Sequence, residues 1–170
     1  MKTIKLTRGQ YTMVDNKDFE WLNKFKWFAC KWTNSFCAAG WHENKSRYMH
    51  RLILGLKSDD KRQADHINHN TLDNRRCNLR ITTASQNHMN EKPHKKFSSK
   101  YKGVCRCKQY KKWVVRITKE CKQIYLGLFD NETDAALMYN QIAEQLFGEY
   151  CFLNKIDLGK KVIGPIAKWI

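Results

Sequence analysis

Acidic residues are scarce in this chain, with 16 Asp and Glu against 32 Lys and Arg in 170 residues. It has no Cys-x-x-Cys pair and no apolar run approaching a membrane span, which needs roughly 18 residues. The start, Met1-Lys2-Thr3-Ile4-Lys5, has none of the apolar stretch of a secretory signal. The expectation is therefore a soluble, cytoplasmic protein with no membrane partner. The acid deficit leaves a formal charge of +16 and a pI near 9.6, which favours a polyanionic partner, nucleic acid ahead of a membrane surface. The seven cysteines, at 30, 37, 77, 105, 107, 121 and 151, are odd in number and fit free thiols in a reducing compartment better than a disulfide framework. Neither Cys105 with Cys107 nor His66 with His69 and Cys77 has the paired spacing of a structural zinc site. An apolar content of 42% with 12% aromatics excludes a wholly disordered chain.

The pattern divides the chain into segments. Residues 1–62 read as a mixed α/β scaffold, with strands at Met13-Val14-Asp15 and Trp27 to Trp32, a short helix within Asp15 to Phe25, and a helical turn at Met49 to Leu54. Its many aromatics are expected to form core rather than a stacking platform. Residues 63–92 read as a strand from Gln63 to Ile67, a turn at Asn68-His69-Asn70, and a helix capped by Thr82 or Thr83 that carries Asn87. Residues 93–99 form a basic linker, since Pro93 disfavours helix before it. Over 100–154 three strands (Tyr101 to Cys107, Trp113 to Thr118, Lys122 to Phe129) precede a helix with Asn131 at its start and Gly148 at its end. A tail follows over 155–170. Residues 97 to 119 hold eight Lys or Arg and no acid, whereas 120 to 154 hold one Lys and six acids. A basic sheet backed by an acidic helix offers one face to phosphate.

The chemistry concentrates between Ala64 and Asn90, in ADHINHNTLDNRRCNLRITTASQNHMN. Asp65 and Asn87 offer oxygen ligands, which suit Mg2+ or Mn2+ rather than zinc. His66, with an ordinary pKa near 6.5, can take a proton from water near neutral pH. Asn78 is expected to brace the loop and orient His66. A strand presenting His66 against a helix presenting Asn87 makes a ββα-metal arrangement from local pieces. None of these residues is diagnostic alone; the combination carries the reading.

Residues 64 to 90 resemble the HNH motif of phage and intron-encoded homing endonucleases, in the variant whose last histidine is an asparagine. That resemblance implies one metal ion on Asp65 and Asn87, His66 as general base, Asn78 as a structural residue, and a phage- or bacterium-encoded protein. Leu6-Thr7-Arg8-Gly9 and Met49-His50-Arg51 are similar to the region that precedes such motifs. Tyr101-Lys102-Gly103-Val104, Lys112-Trp113, Tyr125 to Asp130 and Ala135-Ala136 resemble the APETALA2-type DNA-binding domain. By that resemblance Arg106, Trp113 and Arg116 enter the groove, with Lys108 and Lys111 on phosphate. Arg75, Arg76, Arg80 and His88, within or beside the motif, are further expected DNA contacts.

The expected fold is thus α+β: a ββα-metal (His-Me finger) motif with N-terminal mixed strands, then a three-stranded antiparallel sheet on one helix. The expected function is a metal-dependent endonuclease acting on double-stranded DNA as a monomer or homodimer. The alternative is a sequence-specific DNA-binding regulator with an inactive HNH motif.

Overall fold

The computed structural model describes residues 1–32, 35–42, 45–93 and 98–156. The expected linker over 93–99 falls largely on residues 94–97, and the expected tail on 157–170, both outside the described residues. Two compact units divide the chain, Met1–His88 and Met89–Ile170. The architecture is mixed α+β, with small antiparallel sheets and short helices.

In the first unit β1 (Lys2–Lys5) and β2 (Tyr11–Val14) form a hairpin, with Lys2 opposite Val14 and Lys5 opposite Tyr11. Then come α1 (Asn16–Leu22) and an antiparallel sheet of β3 (Trp27–Trp32), β4 (Ser35–His42) and β5 (Lys45–Tyr48), with β4 in the middle. Alternation along these strands sends Trp27, Ala29, Phe36 and Ala38 into the core with Ile4, Leu6, Val14, Leu22, Met49 and Leu79. The opposite face carries Trp32 and Trp41, 43% and 66% exposed. The aromatics therefore serve the core at Trp27 and Phe36 but not at Trp32, Trp41 or Tyr11. Helix α2 (Met49–Ile53) leads to β6 (Gln63–His66), which pairs with β7 (Leu79–Thr82), and α3 (Ala84–Asn90) follows.

In the second unit β8 (Val104–Cys107), β9 (Lys112–Lys119) and β10 (Lys122–Phe129) form an antiparallel sheet with β9 central. Helix α4 (Glu132–Phe147) covers one face, packing Ala135, Ala136, Tyr139 and Ala143 against Val104, Val115 and Ile117. The Asn131 amide bonds the Asp134 carboxylate at 2.7 Å rather than a backbone N–H of the first turn. Gly103 makes close packing possible. Its φ is +77°, and a Cβ there would lie 2.0 Å from the Tyr139 ring.

Candidate active site

The loop between β6 and β7 is built by its own polar side chains. Asn68 Oδ1 accepts from Asn70 N (2.8 Å), and Asn70 Oδ1 accepts from Leu72 N (3.2 Å), successive Asx turns that use the chemistry of this asparagine-rich stretch. His69 sits between them at φ 61°. Asn78, buried, closes the loop: its Oδ1 accepts from Asn68 N at 2.9 Å and its Nδ2 donates to Asp73 O at 2.8 Å. Asn78 thus binds loop backbone at both ends of its amide. Strand β2 fastens the same loop from outside, with Met13 N on Leu72 O and Asn74 N on Met13 O, both 2.8 Å.

Strand β6 then distributes its two chemical residues. Neighbouring side chains on a strand point to opposite faces, so Asp65 and His66 serve different surroundings. Across the hairpin from Asp65 stands Arg80, whose Nε and Nη2 lie 2.9 and 2.7 Å from Asp65 Oδ2. Gln63 shares the Asp65 face, and its Oε1 accepts from Asn87 Nδ2 at 2.6 Å. That bond places the Asn87 side chain on the Asp65 face of β6. In that bond the Asn87 nitrogen faces Gln63 and its Oδ1 is at the other end of the amide. Helix α3, which carries Asn87, opens on a reciprocal capping box: Gln86 Oε1 accepts from Thr83 N (2.9 Å) and Thr83 Oγ1 accepts from Gln86 N (3.2 Å).

His66 faces the other way and is buried. Its Nε2 lies 3.0 Å from Asn74 Oδ1, and its ring meets the His50 ring edge-on at 5.0 Å between centroids. His50 in turn stacks on Tyr48, 5.6 Å away and 8° from parallel. Burial pulls the His66 pKa below its ordinary value, although the Asn74 bond and the carboxylates of Asp65 and Asp73 act in the opposite sense. Burial, with the charges of His66 and Arg51, lowers the His50 pKa to about 3. Both rings are therefore held neutral near pH 7, the form in which an imidazole accepts a proton.

The remaining motif residues fall into two groups. Arg75 clamps Asp73 at 2.7 and 2.6 Å, and Arg76 clamps Asp18 at 2.8 and 2.8 Å while its backbone N donates to Asp15. Hydrogen bonding by Arg76 holds the Asp18 carboxyl below its usual pKa, and Arg75 does the same to Asp73. Arg75, Arg76 and Arg80 thus each hold a carboxylate of their own unit, whereas His88 is exposed on α3. Asn74, Thr12 and His50 are the neighbours that sequence reasoning left without a role. Asn74 and His50 stood within quoted motif stretches, but Thr12 carries no local signal.

In the second unit, register separates the three residues expected to enter the groove. Arg106 and Trp113 are opposite one another on the α4 side of the sheet, with the guanidinium 4.9 Å from the ring centroid. Trp113 packs against the core there. Arg116 belongs to the other face, opposite Tyr125, and is exposed. Cys105 and Cys107 alternate with Arg106 and so share the open face with Arg116. Lys108 and Lys111 are exposed in the turn joining β8 to β9.

The sequence is 35% identical, over 154 residues, to an uncharacterized HNH endonuclease of Acanthamoeba polyphaga mimivirus, a match that covers 88% of this chain and 78% of the relative. This chain belongs to the HNH endonuclease family. No family model matches it, and no solved structure does. Nuclease function, and with it nucleic-acid binding, follow from the family. Among the described residues of this HNH endonuclease, no helix is long and apolar enough to cross a membrane, and no three His, Cys, Asp or Glu side chains gather as a metal cage.

Proposed function

We propose that this HNH endonuclease hydrolyses phosphodiester bonds of double-stranded DNA, with His66 as general base and one Mg2+ or Mn2+ held by Asp65 and Asn87. The observation that carries the reading is the end of β6. Asp65 there lies on the face shared with Gln63 and Asn87, while the adjacent His66 is held neutral against Asn74 and His50. We read β6, β7 and α3 as the ββα-metal unit. The donors fit a hard cation: a carboxylate and an amide oxygen, with no thiolate among them. Bound there, the metal would stabilise charge on the phosphate and on the leaving oxygen. The protein's own part is to hold His66 in the accepting form, to keep the loop rigid through Asn78, and to carry Asn87 on a capped helix.

We further propose that the second unit is an APETALA2-type DNA-binding module. Support comes from the absence of acid over residues 97 to 119 and from the exposure of Arg106, Lys108, Lys111 and Arg116. One active site per chain makes a monomer a nicking enzyme, and a homodimer able to cut both strands.

The test is metal dependence. Supercoiled DNA from the source genome should be nicked or linearised with Mg2+ or Mn2+ and left intact with EDTA. Asp65→Ala should lose cleavage while still shifting DNA in a gel. Intact DNA in every lane together with a gel shift would replace this reading with a DNA-binding regulator.

A further inference from the structure

The side chain that sets the His66 ring, Asn74, is itself set by a residue 62 positions before it, and the hydrogen-bond logic between them runs in one direction. The carbonyl of Leu72 can only accept, and Thr12 Oγ1 lies 2.8 Å from it. The single hydroxyl proton of Thr12 is therefore committed to Leu72, and its oxygen meets any other partner as an acceptor. Asn74 Nδ2 lies 2.8 Å from that oxygen and 3.7 Å from Met49 Sδ, a second acceptor. These neighbours fix the amide with its nitrogen toward Thr12 and Met49 and its oxygen toward His66. Thr12 and Asn74 are both fully buried, so water does not offer the amide an alternative partner. Asn74 Oδ1 can only accept, and His66 Nε2 stands 3.0 Å from it. Nε2 must then carry the hydrogen, and the lone pair of the neutral ring lies on Nδ1.

Building on the nuclease reading above, we infer that Thr12 and Asn74 are positioning residues that fix the tautomer of His66. They make Nδ1 the nitrogen that receives the proton of the attacking water. In that step a water O–H bond breaks, its proton goes to Nδ1, and the oxygen's electron pair forms the new bond to phosphorus. The bond to the leaving oxygen breaks with its pair on that oxygen, which solvent protonates. The Asn74 bond persists through proton uptake, because the imidazolium still donates from Nε2. Neither Thr12 nor Asn74 touches substrate in this account; each acts through His66.

Thr12→Val removes the hydroxyl at nearly constant volume. Without its acceptor the Asn74 amide is free to turn and offer Nδ2 to the ring, which moves the ring proton to Nδ1. The readout is long-range 15N–1H NMR of the histidines, with His66 assigned by its loss in His66→Gln. Wild type should show the Nε2–H tautomer, and Thr12→Val a shift toward Nδ1–H. The kcat should fall roughly tenfold to hundredfold with KM for DNA little changed, a part of the roughly 10²–10⁴ that general-base catalysis supplies. Thr12→Ser should restore both tautomer and kcat. A proton on Nδ1 in wild type would overturn the inference, and that spectrum decides the matter even if a variant fails to fold. So would a Thr12→Val protein with unchanged tautomer and kcat. If no condition yields cleavage yet the tautomer shifts as stated, the relay stands and the nuclease reading falls.

Discussion

Asparagine does at this site what the backbone alone cannot. Asn68, Asn70 and Asn78 hold the loop, Asn87 reaches the Asp65 face, and Asn74 meets the histidine. Asp65, His66 and Asn87 stand out in the sequence as candidates because residue type and spacing coincide within a short stretch. The division of labour between Asn74 and Asn78 was not legible there, since it depends on which amide meets the ring, and a strand from far up the chain decides that. His50 was equally silent: its contact with His66 exists only once α2 packs beside β6. This buried, neutral His50 has a measurable consequence. With a folded pKa of about 3 against an ordinary value near 6.5, the unfolded chain binds a proton that the native state refuses. Stability from this group is full above about pH 6.5 and declines as pH falls toward the folded value, by about 2 kcal/mol between pH 6.5 and 5. Burial of His66 adds in the same sense. Urea unfolding of wild type should weaken over that interval, and His50→Phe should show a shallower decline. Equal slopes would mean that His50 titrates normally in the fold.

At the level of elements, patterning served where it was strong. The alternation of Trp113, Val115 and Ile117 against Val114, Arg116 and Thr118 marked β9, and the apolar face of α4 marked that helix. Thr83 was one of two expected caps of α3, and it supplies the capping box with Gln86. Strands β1, β4, β5 and β7 had no such mark. In β4 the run Cys37-Ala38-Ala39-Gly40 is small and buried, with nothing to alternate, and β7 lay hidden within motif residues. Register also reveals what the alignment of motifs does not, for Arg106 and Arg116 lie on opposite faces of one sheet. The capping box yields a prediction at this scale. Thr83→Ala should destabilise the fold by about 1 kcal/mol, and it should raise the metal concentration needed for half-maximal cleavage because Asn87 sits on the helix that frays. A helix unchanged in amide exchange would place its stability elsewhere.

Across the whole molecule, the net charge of +16 divides between basic residues paired with acids and basic residues that face solvent. Arg75, Arg76 and Arg80 neutralise carboxylates within the first unit. The sheet of the second unit keeps Arg106, Lys108, Lys111 and Arg116 exposed. Composition disclosed the polyanionic partner and the motif disclosed the nuclease. Composition alone did not distinguish basic residues that hold the fold from those that face solvent, because that depends on where each acid lands. Whether His66 performs the chemistry while binding resides elsewhere is decided by comparing wild type with His66→Ala on the same DNA. Cleavage with Mg2+ and gel-shift affinity should be measured side by side. If His66 is the general base, cleavage falls at least about a hundredfold with affinity nearly intact. Cleavage by His66→Ala at the wild-type rate would contradict that role.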